Sequence, residues 1–265
     1  FIGGGTPSLF SAKSFERLFV EIEKLIPLQD KLEITLEANP GTFESQKFAE
    51  YRAIGINRLS IGIQSFNNQH LKRLGRIHSS EEALTAIKIA HQAGFDQLNL
   101  DLMFGLPEPS NAEMLSDVQT AINLQASHIS FYQLTLEPNT YFHKFPPKLP
   151  KNELIYQGQL HCQQLLAESG FQQYEISAYA KNDCHCQHNL NYWRFGDYLG
   201  IGAGAHGKLS LSQPENIIRT SKAKSPEQYF SNNHAVINKV SLNELPLEYL
   251  MNQLRLKAGF RLKDY

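Results

Sequence analysis

Asn57–His78, NRLSIGIQSFNNQHLKRLGRIH, decides how the rest of this chain is read. In its first half, Leu59, Ile61 and Ile63 alternate with Ser60, Gly62 and Gln64. A period of two puts the two sets on opposite faces of a strand. The apolar set can pack under helices. The other set is small, small, then an amide at the strand's C-terminal end. A barrel lumen that holds a ligand needs open space below and a polar reader at the mouth. Arg76 follows in the connection before the next helix, and its planar donor fork suits a carboxylate or phosphate. Taken alone, the stretch also fits an ordinary barrel strand with a surface arginine.

Two other strands repeat the arrangement. In Glu33–Glu37, Ile34 and Leu36 alternate with Thr35 and Glu37; in Leu98–Leu102, the leucines alternate with Asn99 and Asp101. Each carries a carboxylate late in the strand, on the face away from its apolar set. The intervals between Glu37, Gln64 and Asp101 each accommodate a helix and two loops. The spacing therefore predicts that these three side chains converge on one C-terminal rim, where barrel active sites sit.

The chain has 265 residues, 42% hydrophobic and 19% charged, with a net charge of −1. This is a globular composition of one barrel-sized domain with an addition, or of two smaller domains. It offers no electrostatic case for nucleic acid. No long apolar run marks a membrane span, which leaves room for peripheral contact only, and no signal-peptide pattern opens the chain. The three cysteines (Cys162, Cys184 and Cys186) do not make a disulfide framework, so a reducing cytoplasm is expected. The chain opens at Phe1 on a strand running into glycines. It ends just past a helix-like stretch without a clear stop. The expectation is a fragment lacking something at both ends.

Between these landmarks, strands alternate with helices, which argues a parallel sheet. Helices are expected over residues 12–25, 43–54, 81–92, 112–124 and 152–169, and a crossing loop over Tyr141–Pro150. Gly3-Gly4-Gly5-Thr6-Pro7 lets the backbone approach a ligand, but lacks the Gly-Lys-Ser/Thr ending of a phosphate loop. After Gly170 the pattern turns to short aromatic, polar pieces. Gly200–Gly207 is glycine-rich without the strand-then-helix context of a dinucleotide fingerprint. Ser210–Ser225 reads as a polar linker. Cys184-His185-Cys186 with His188 is too compact for a structural zinc site.

Taken in order, the motifs Gly3–Pro7, Glu37-Ala38-Asn39-Pro40-Gly41, Ser60–Ser65, Leu74-Gly75-Arg76, Asp101–Pro107, Tyr174-Glu175-Ile176-Ser177 and His188–Trp193 identify a family. The chain resembles the radical S-adenosylmethionine (SAM) family around anaerobic coproporphyrinogen III oxidase, and more closely its heme-chaperone branch, the HemW group. The resemblance implies an α/β fold: a partial parallel (β/α) barrel of radical-SAM type, an added C-terminal αβ region and the start of a small C-terminal domain. Its divisions would be 1–209 for the core barrel with its heme-motif extension, 210–225 for the linker and 226–265 for the cut-off C-terminal domain. It also implies a [4Fe-4S] cluster held by three cysteines spaced CxxxCxxC. That segment would lie upstream of Phe1, and Cys162, Cys184 and Cys186 lack its context. Electron transfer from the cluster would cleave the SAM sulfonium and release a 5′-deoxyadenosyl radical.

By position, the resemblance gives Gly4, Gly5 and Thr6 the methionine moiety of SAM. Glu37 would accept from its ammonium or a ribose hydroxyl, Gln64 and Asp101 would hold the ribose, and Arg76 would pair with its carboxylate. His188-Asn189-Leu190-Asn191-Tyr192-Trp193 resembles the HNxxYW motif of the heme chaperones, which the true oxidases lack. His188 is then an axial ligand for heme, with Tyr192 and Trp193 packing on the macrocycle. The implied function is binding heme and delivering it to an acceptor protein. The alternatives are oxidative decarboxylation of coproporphyrinogen III, or a non-radical barrel enzyme of sugar or phosphate metabolism. The last leaves the motif order unexplained.

Overall fold

A computed structural model describes residues 1–41, 45–107, 111–211, 217–231 and 234–262. The chain divides into two compact units, Phe1–His185 and Cys186–Tyr265.

The first unit is built on one sheet. Its strands are β1 (Thr35–Ala38), β2 (Arg58–Gln64), β3 (Gln97–Phe104), β4 (His128–Gln133), β5 (Gln172–Glu175) and β6 (Ala178–Ala180). Their order is β1-β2-β3-β4-β6-β5. The first four run parallel, and β6 joins β4 antiparallel as part of a hairpin with β5. β1 and β5 end the sheet, so it forms an open, partial barrel.

Helices connect and cover the strands. They are α1 (Ala12–Glu23), α2 (Phe48–Ala53), α3 (Asn68–Arg73), α4 (Ser80–Gln92), α5 (Asn111–Asn123), the short α6 (Tyr141–Lys144) and α7 (Asn152–Glu168). The alternation read in the sequence sets the packing. Leu59, Ile61 and Ile63 of β2 and Leu98, Leu100 and Leu102 of β3 are fully buried. They meet Phe48 and Tyr51 of α2, Ala83, Ala86, Ile87 and Ala90 of α4, and Met114 and Val118 of α5 in one core. Each leucine or isoleucine so buried contributes roughly 1.5–3 kcal/mol. The small alanine face of α4 brings that helix close to the strands. Its N-terminus is fixed by a reciprocal capping box between Ser79 and Glu82.

The entry end of the sheet is tied by a fully buried arginine at the start of β2. Arg58 Nη1 donates to Gln97 Oε1 at 2.7 Å and Nη2 donates to the Cys184 carbonyl at 3.0 Å. Its guanidinium also lies 3.6 Å from Glu33.

Several expectations change on contact with the structure. The opening strand shrinks to a single parallel bridge from Ile2 to Leu36, because the glycines that follow turn the backbone away. The Glu33 strand begins at Thr35. Of the helix expected over residues 43–54, positions 43 and 44 lie outside the described residues. The expected crossing loop opens with the short helix α6, which Thr140 caps by accepting from the His143 amide.

The second unit contains β7 (His206–Ser210), β8 (Ile217–Ser221) and β9 (Val236–Lys239) in one antiparallel sheet. Its helices are α8 (Gln187–Trp193), α9 (Pro226–Ser231) and α10 (Leu245–Gln253). Thus the stretch expected as a linker, 210–225, holds the central strand of this sheet, with 212–216 outside the described residues. Ile217, Ile218 and Thr220 are β-branched, and this outweighs the polar composition around them. The contacts divide the chain at residue 186, ahead of the HNxxYW motif, rather than at 210.

Candidate functional site

The parallel strands raise a rim at their C-terminal ends. The glycine segment closes one side of it. Ile2 holds β1 through two backbone bonds, Ile2 N to Thr35 O at 2.8 Å and Glu37 N to Ile2 O at 3.0 Å. Past that anchor, Gly4 and Gly5 take φ of +83° and +61°, a region side chains disfavour. The Gly4 amide donates to Glu37 Oε2 at 3.0 Å. A Cβ on Gly3 would stand 2.8 Å from the same oxygen. Downstream, the Tyr51 hydroxyl lies 2.7 Å from both the Ser8 and Phe10 carbonyls, which pins the turn after Pro7.

A cavity of about 170 Å³ opens between this segment and the strands. Gly5, Thr6, Glu37, Gln64 and Asp101 line it together with Ser60 and Gly62. Gly4 reaches it through the carboxylate its amide holds. Arg76 is exposed and does not line the cavity itself, but its charge reaches the Tyr132 phenol of the same rim. The turn at Gly75 is fastened to β2 by His78 Nε2, 3.1 Å from the Ile63 carbonyl.

Gln64 is set by backbone rather than by rotamer. Its φ is +69°, and the β2–β3 register is irregular between Ile61 and Gln64. A left-handed non-glycine residue costs about 1–3 kcal/mol and is held by its surroundings. Asp117 of α5 supplies that hold. It accepts from Ser65 Oγ at 2.6 Å and from the Phe66 amide at 2.8 Å, directly after Gln64. The Tyr132 hydroxyl donates to Gln64 Oε1 at 2.7 Å. A Cβ on Gly62 would lie 3.0 Å from Gln64 Nε2, so the small residue there makes room for the amide. Burial and then the charge of Asp101 raise the Tyr132 phenol well above the usual tyrosine range, while Arg76 pulls it down.

Asp101 heads a buried polar chain. Asn99 Nδ2 donates to Asp101 Oδ1 at 2.8 Å and to Ser60 Oγ at 2.7 Å, and Ser60 Oγ donates to Asp101 Oδ2 at 3.3 Å. A carboxylate only accepts, so the Asn99 amine must face it. The Asn99 oxygen then faces Ser130 Oγ at 3.1 Å and His128 Nδ1 at 2.6 Å. Nδ1 therefore carries the proton, and in the neutral ring Nε2 accepts from the Tyr174 hydroxyl, 2.8 Å away. Each choice is forced by the one before it. Removal from water pushes the Asp101 carboxyl up to about 6, against hydrogen bonds from Asn99, Ser130 and Ser60, with the charge of Glu37 adding to the rise.

Sequence reasoning missed Tyr132, His128, Ser130 and Tyr174. The first three were within reach. Ile129 and Phe131 are buried and set the phase of β4, which leaves His128, Ser130 and Tyr132 on the polar face. Tyr174 comes from the β5–β6 hairpin, whose approach to β4 nothing local announces.

The second unit holds the HNxxYW stretch as α8. The His188 ring lies against Cys186, Nδ1 at 3.1 Å from Sγ. Tyr192 and Trp193 line a separate cavity of about 360 Å³ together with Tyr198, His206, Lys208 and Arg219, and His188 is not in its wall.

The rim suits SAM on the structure's own terms. It brings a glycine cradle that a Cβ would fill, two carboxylates and an amide into one small cavity. The chain's cysteines do not suit a [4Fe-4S] cluster. Cys162 is buried on α7, with its thiol pushed up to about 12 by burial and then by the charge of Asp117, and Cys186 is engaged with His188.

The family model of the radical SAM superfamily matches residues 1–121. The heme chaperone HemW of Haemophilus influenzae is 52% identical over 257 residues, which cover 97% of this chain and 67% of that protein. Heme chaperone HemW of Escherichia coli is 48% identical, covering 97% of this chain and 68% of that protein. The chain thus spans about two thirds of the length of these relatives. Among solved structures, coproporphyrinogen III oxidase (HemN) from Escherichia coli, a radical SAM enzyme, superposes with a TM-score of 0.77. It is 20% identical, covers 96% of this chain and is itself covered to 62%, so the likeness is one of fold. Identity of this extent over nearly the whole chain and two thirds of its relatives means that the chain belongs to the HemW family of the radical SAM superfamily.

Proposed function

We propose that this chain is the core of a heme chaperone, which binds heme, passes it to an acceptor protein and binds SAM at the rim of its partial barrel. The observation that carries the heme reading is the 52% identity to a protein named as a heme chaperone. In this reading the Gly4–Thr6 backbone and Glu37 receive the methionine end of SAM, and Gln64 and Asp101 receive the ribose hydroxyls. Arg76, outside the cavity wall, closes on the carboxylate. SAM, when bound, supplies a sulfonium open to one-electron cleavage. The protein's part is orientation: Asn99 occupies one oxygen of Asp101, and Tyr132 holds the Gln64 amide. The cluster of the family would be supplied by other residues of the intact protein. His188, Tyr192 and Trp193 are offered to heme by the second unit. Among the described residues no helix is long and apolar enough to cross a membrane. The cytoplasm is proposed from the cysteine usage, three residues that make no disulfide framework.

The test is anaerobic. The intact protein is titrated with heme and with SAM, then incubated with SAM, reductant and coproporphyrinogen III. Saturable heme and SAM binding without protoporphyrinogen supports the chaperone. Turnover of coproporphyrinogen without heme binding overturns it.

A further inference from the structure

Gln64 and Asp101 line the rim cavity from adjacent strands, and they offer a ligand opposite things. Asp101, once ionised, can only accept. Asn99 and Ser60 donate to its two oxygens, and a carboxylate keeps lone pairs for one donor more. Gln64 is different, because an amide carries a donor and an acceptor on ends of nearly equal size. What surrounds each end decides between them. The oxygen takes the Tyr132 hydroxyl at 2.7 Å. The amine lies over Gly62, 3.0 Å from the point that a Cβ there would occupy, and the Ala38 carbonyl oxygen and Asn39 Oδ1 lie 3.9 and 4.0 Å from the same point. A backbone carbonyl is only an acceptor, so the amine belongs on this side. Gly62, Ala38 and Asn39 all line the cavity, so it is the amine that faces a ligand.

Tyr132 holds that choice from outside the cavity. It is half-buried on β4, and β3 lies between its strand and that of Gln64. The β3–β4 register sets His128 beside Asn99, Ser130 beside Asp101 and Tyr132 one step nearer the rim, beside Met103. From there its hydroxyl reaches over β3 to Gln64 without entering the cavity wall. Burial and the charge of Asp101 keep the phenol protonated, so it remains a donor. With that donor removed, nothing at the oxygen end prevents the amide from turning over and presenting its oxygen to the ligand.

We propose that Tyr132 is a positioning residue that fixes Gln64 as a donor, so that the rim selects an adenosyl ligand with an intact vicinal diol. One ribose hydroxyl accepts from Gln64 Nε2 and the other donates to Asp101. The inference rests on the SAM reading above and names what sets the selectivity of that site. A site that pairs each hydroxyl rejects an analogue lacking one, because a polar group of the protein is then left without its partner.

The intact protein is titrated calorimetrically, without oxygen and at pH 7.5, where Asp101 is ionised. The probes are S-adenosylhomocysteine, which keeps the ribose and the amino-acid end, and its 2′-deoxy and 3′-deoxy analogues. Wild type should bind the parent and lose on the order of tenfold with each analogue. Tyr132→Phe keeps the ring and removes one oxygen. It should bind the parent roughly three- to tenfold more weakly and lose most of one analogue's penalty, that of the hydroxyl facing Gln64, while the penalty set by Asp101 stays. Gln64→Ala should abolish the same penalty, which identifies the hydroxyl, and Tyr132→Phe added to it should change nothing further. A merely structural tyrosine would weaken all three ligands alike. Circular dichroism checks that each variant folds. Penalties that stay as in wild type or fall together in Tyr132→Phe, an unchanged parent affinity, or no penalty in wild type overturn this inference and leave the SAM reading standing. Failure of the wild-type protein to bind the parent overturns both.

Discussion

Replacing Asp101 by Asn should make the first unit more stable and, at the same time, weaken its hold on SAM. The folded protein keeps a proton on Asp101 up to about pH 6, whereas the free carboxyl value is 3.8. Between these values the folded state binds more protons than the unfolded one. Its stability therefore falls as pH climbs through that window, and stays reduced above it. A rise from 3.8 to about 6 corresponds to about 3 kcal/mol of disfavoured ionisation. Asn carries no such penalty and can keep the surrounding pattern, its oxygen accepting from Asn99 and its amine facing Ser60. The variant should match wild type near pH 3, below both values, and gain about 1–3 kcal/mol by pH 7.5, worth several degrees of melting temperature. Urea unfolding is followed by far-ultraviolet circular dichroism, because the chain's single tryptophan, Trp193, reports on the other unit. Subtracting wild type from variant at each pH cancels the other titrations. A difference that stays flat between pH 4.5 and 7.5, or that shrinks as pH rises, refutes the reasoning. Calorimetry at pH 7.5 should find weaker SAM binding in the variant, since a ribose hydroxyl loses a charged acceptor.

Gln64→Gly should leave stability unchanged or raise it, because relief of the left-handed backbone offsets the lost Tyr132 bond, each worth on the order of 1 kcal/mol. SAM affinity should nevertheless fall, and calorimetry that finds it intact removes the amide from the site. Lys208→Met should destabilise the second unit by about 1–3 kcal/mol at pH 7, read by Trp193 fluorescence in urea. Burial pulls the Asp197 carboxyl up, but bonds from Lys208 and Ser210 outweigh it and hold the carboxyl below its ordinary value. That stabilisation is present above pH 3.8 and lost below it, so the cost of the substitution should shrink in acid; a constant cost would mean that Asp197 is not the partner that matters. Gly158→Ala drives a Cβ into Met114 Cε and Asn111 Oδ1 where α7 crosses α5, and should cost about 1–3 kcal/mol in the first unit. Wild-type unfolding of that variant would show that the two helices separate freely.

Much of the barrel was legible because its physics is periodic. Leu59, Ile61 and Ile63 could face only helices, which placed Gln64 on the lumen side, and the same phase argument put Glu37 and Asp101 beside it. What periodicity does not encode was not legible. The positive φ of Gln64 follows from a register irregularity and from Asp117, more than fifty residues away in the chain. Arg76 follows a six-residue helix and a glycine turn, so its exposed position, with its charge felt at Tyr132, is not encoded in the strand periodicity. Tyr174 meets His128 only because a hairpin folds back antiparallel on β4. The polar stretch at 210–225 reads as a linker because Ser, Gln, Pro and Asn dominate its ends, while two isoleucines make its middle a strand.

Arg58 gives the chain a timetable. Its bond to the Cys184 carbonyl spans 126 residues, so on the ribosome that partner does not exist when β2 is made. At roughly 5–20 residues per second, the wait is on the order of 6–25 s. During it the guanidinium can meet only what has already emerged: first Glu33, synthesised before it, and then Gln97. The acid upstream thus acts as an escort, holding the cation until the last segment of the unit arrives to cover it.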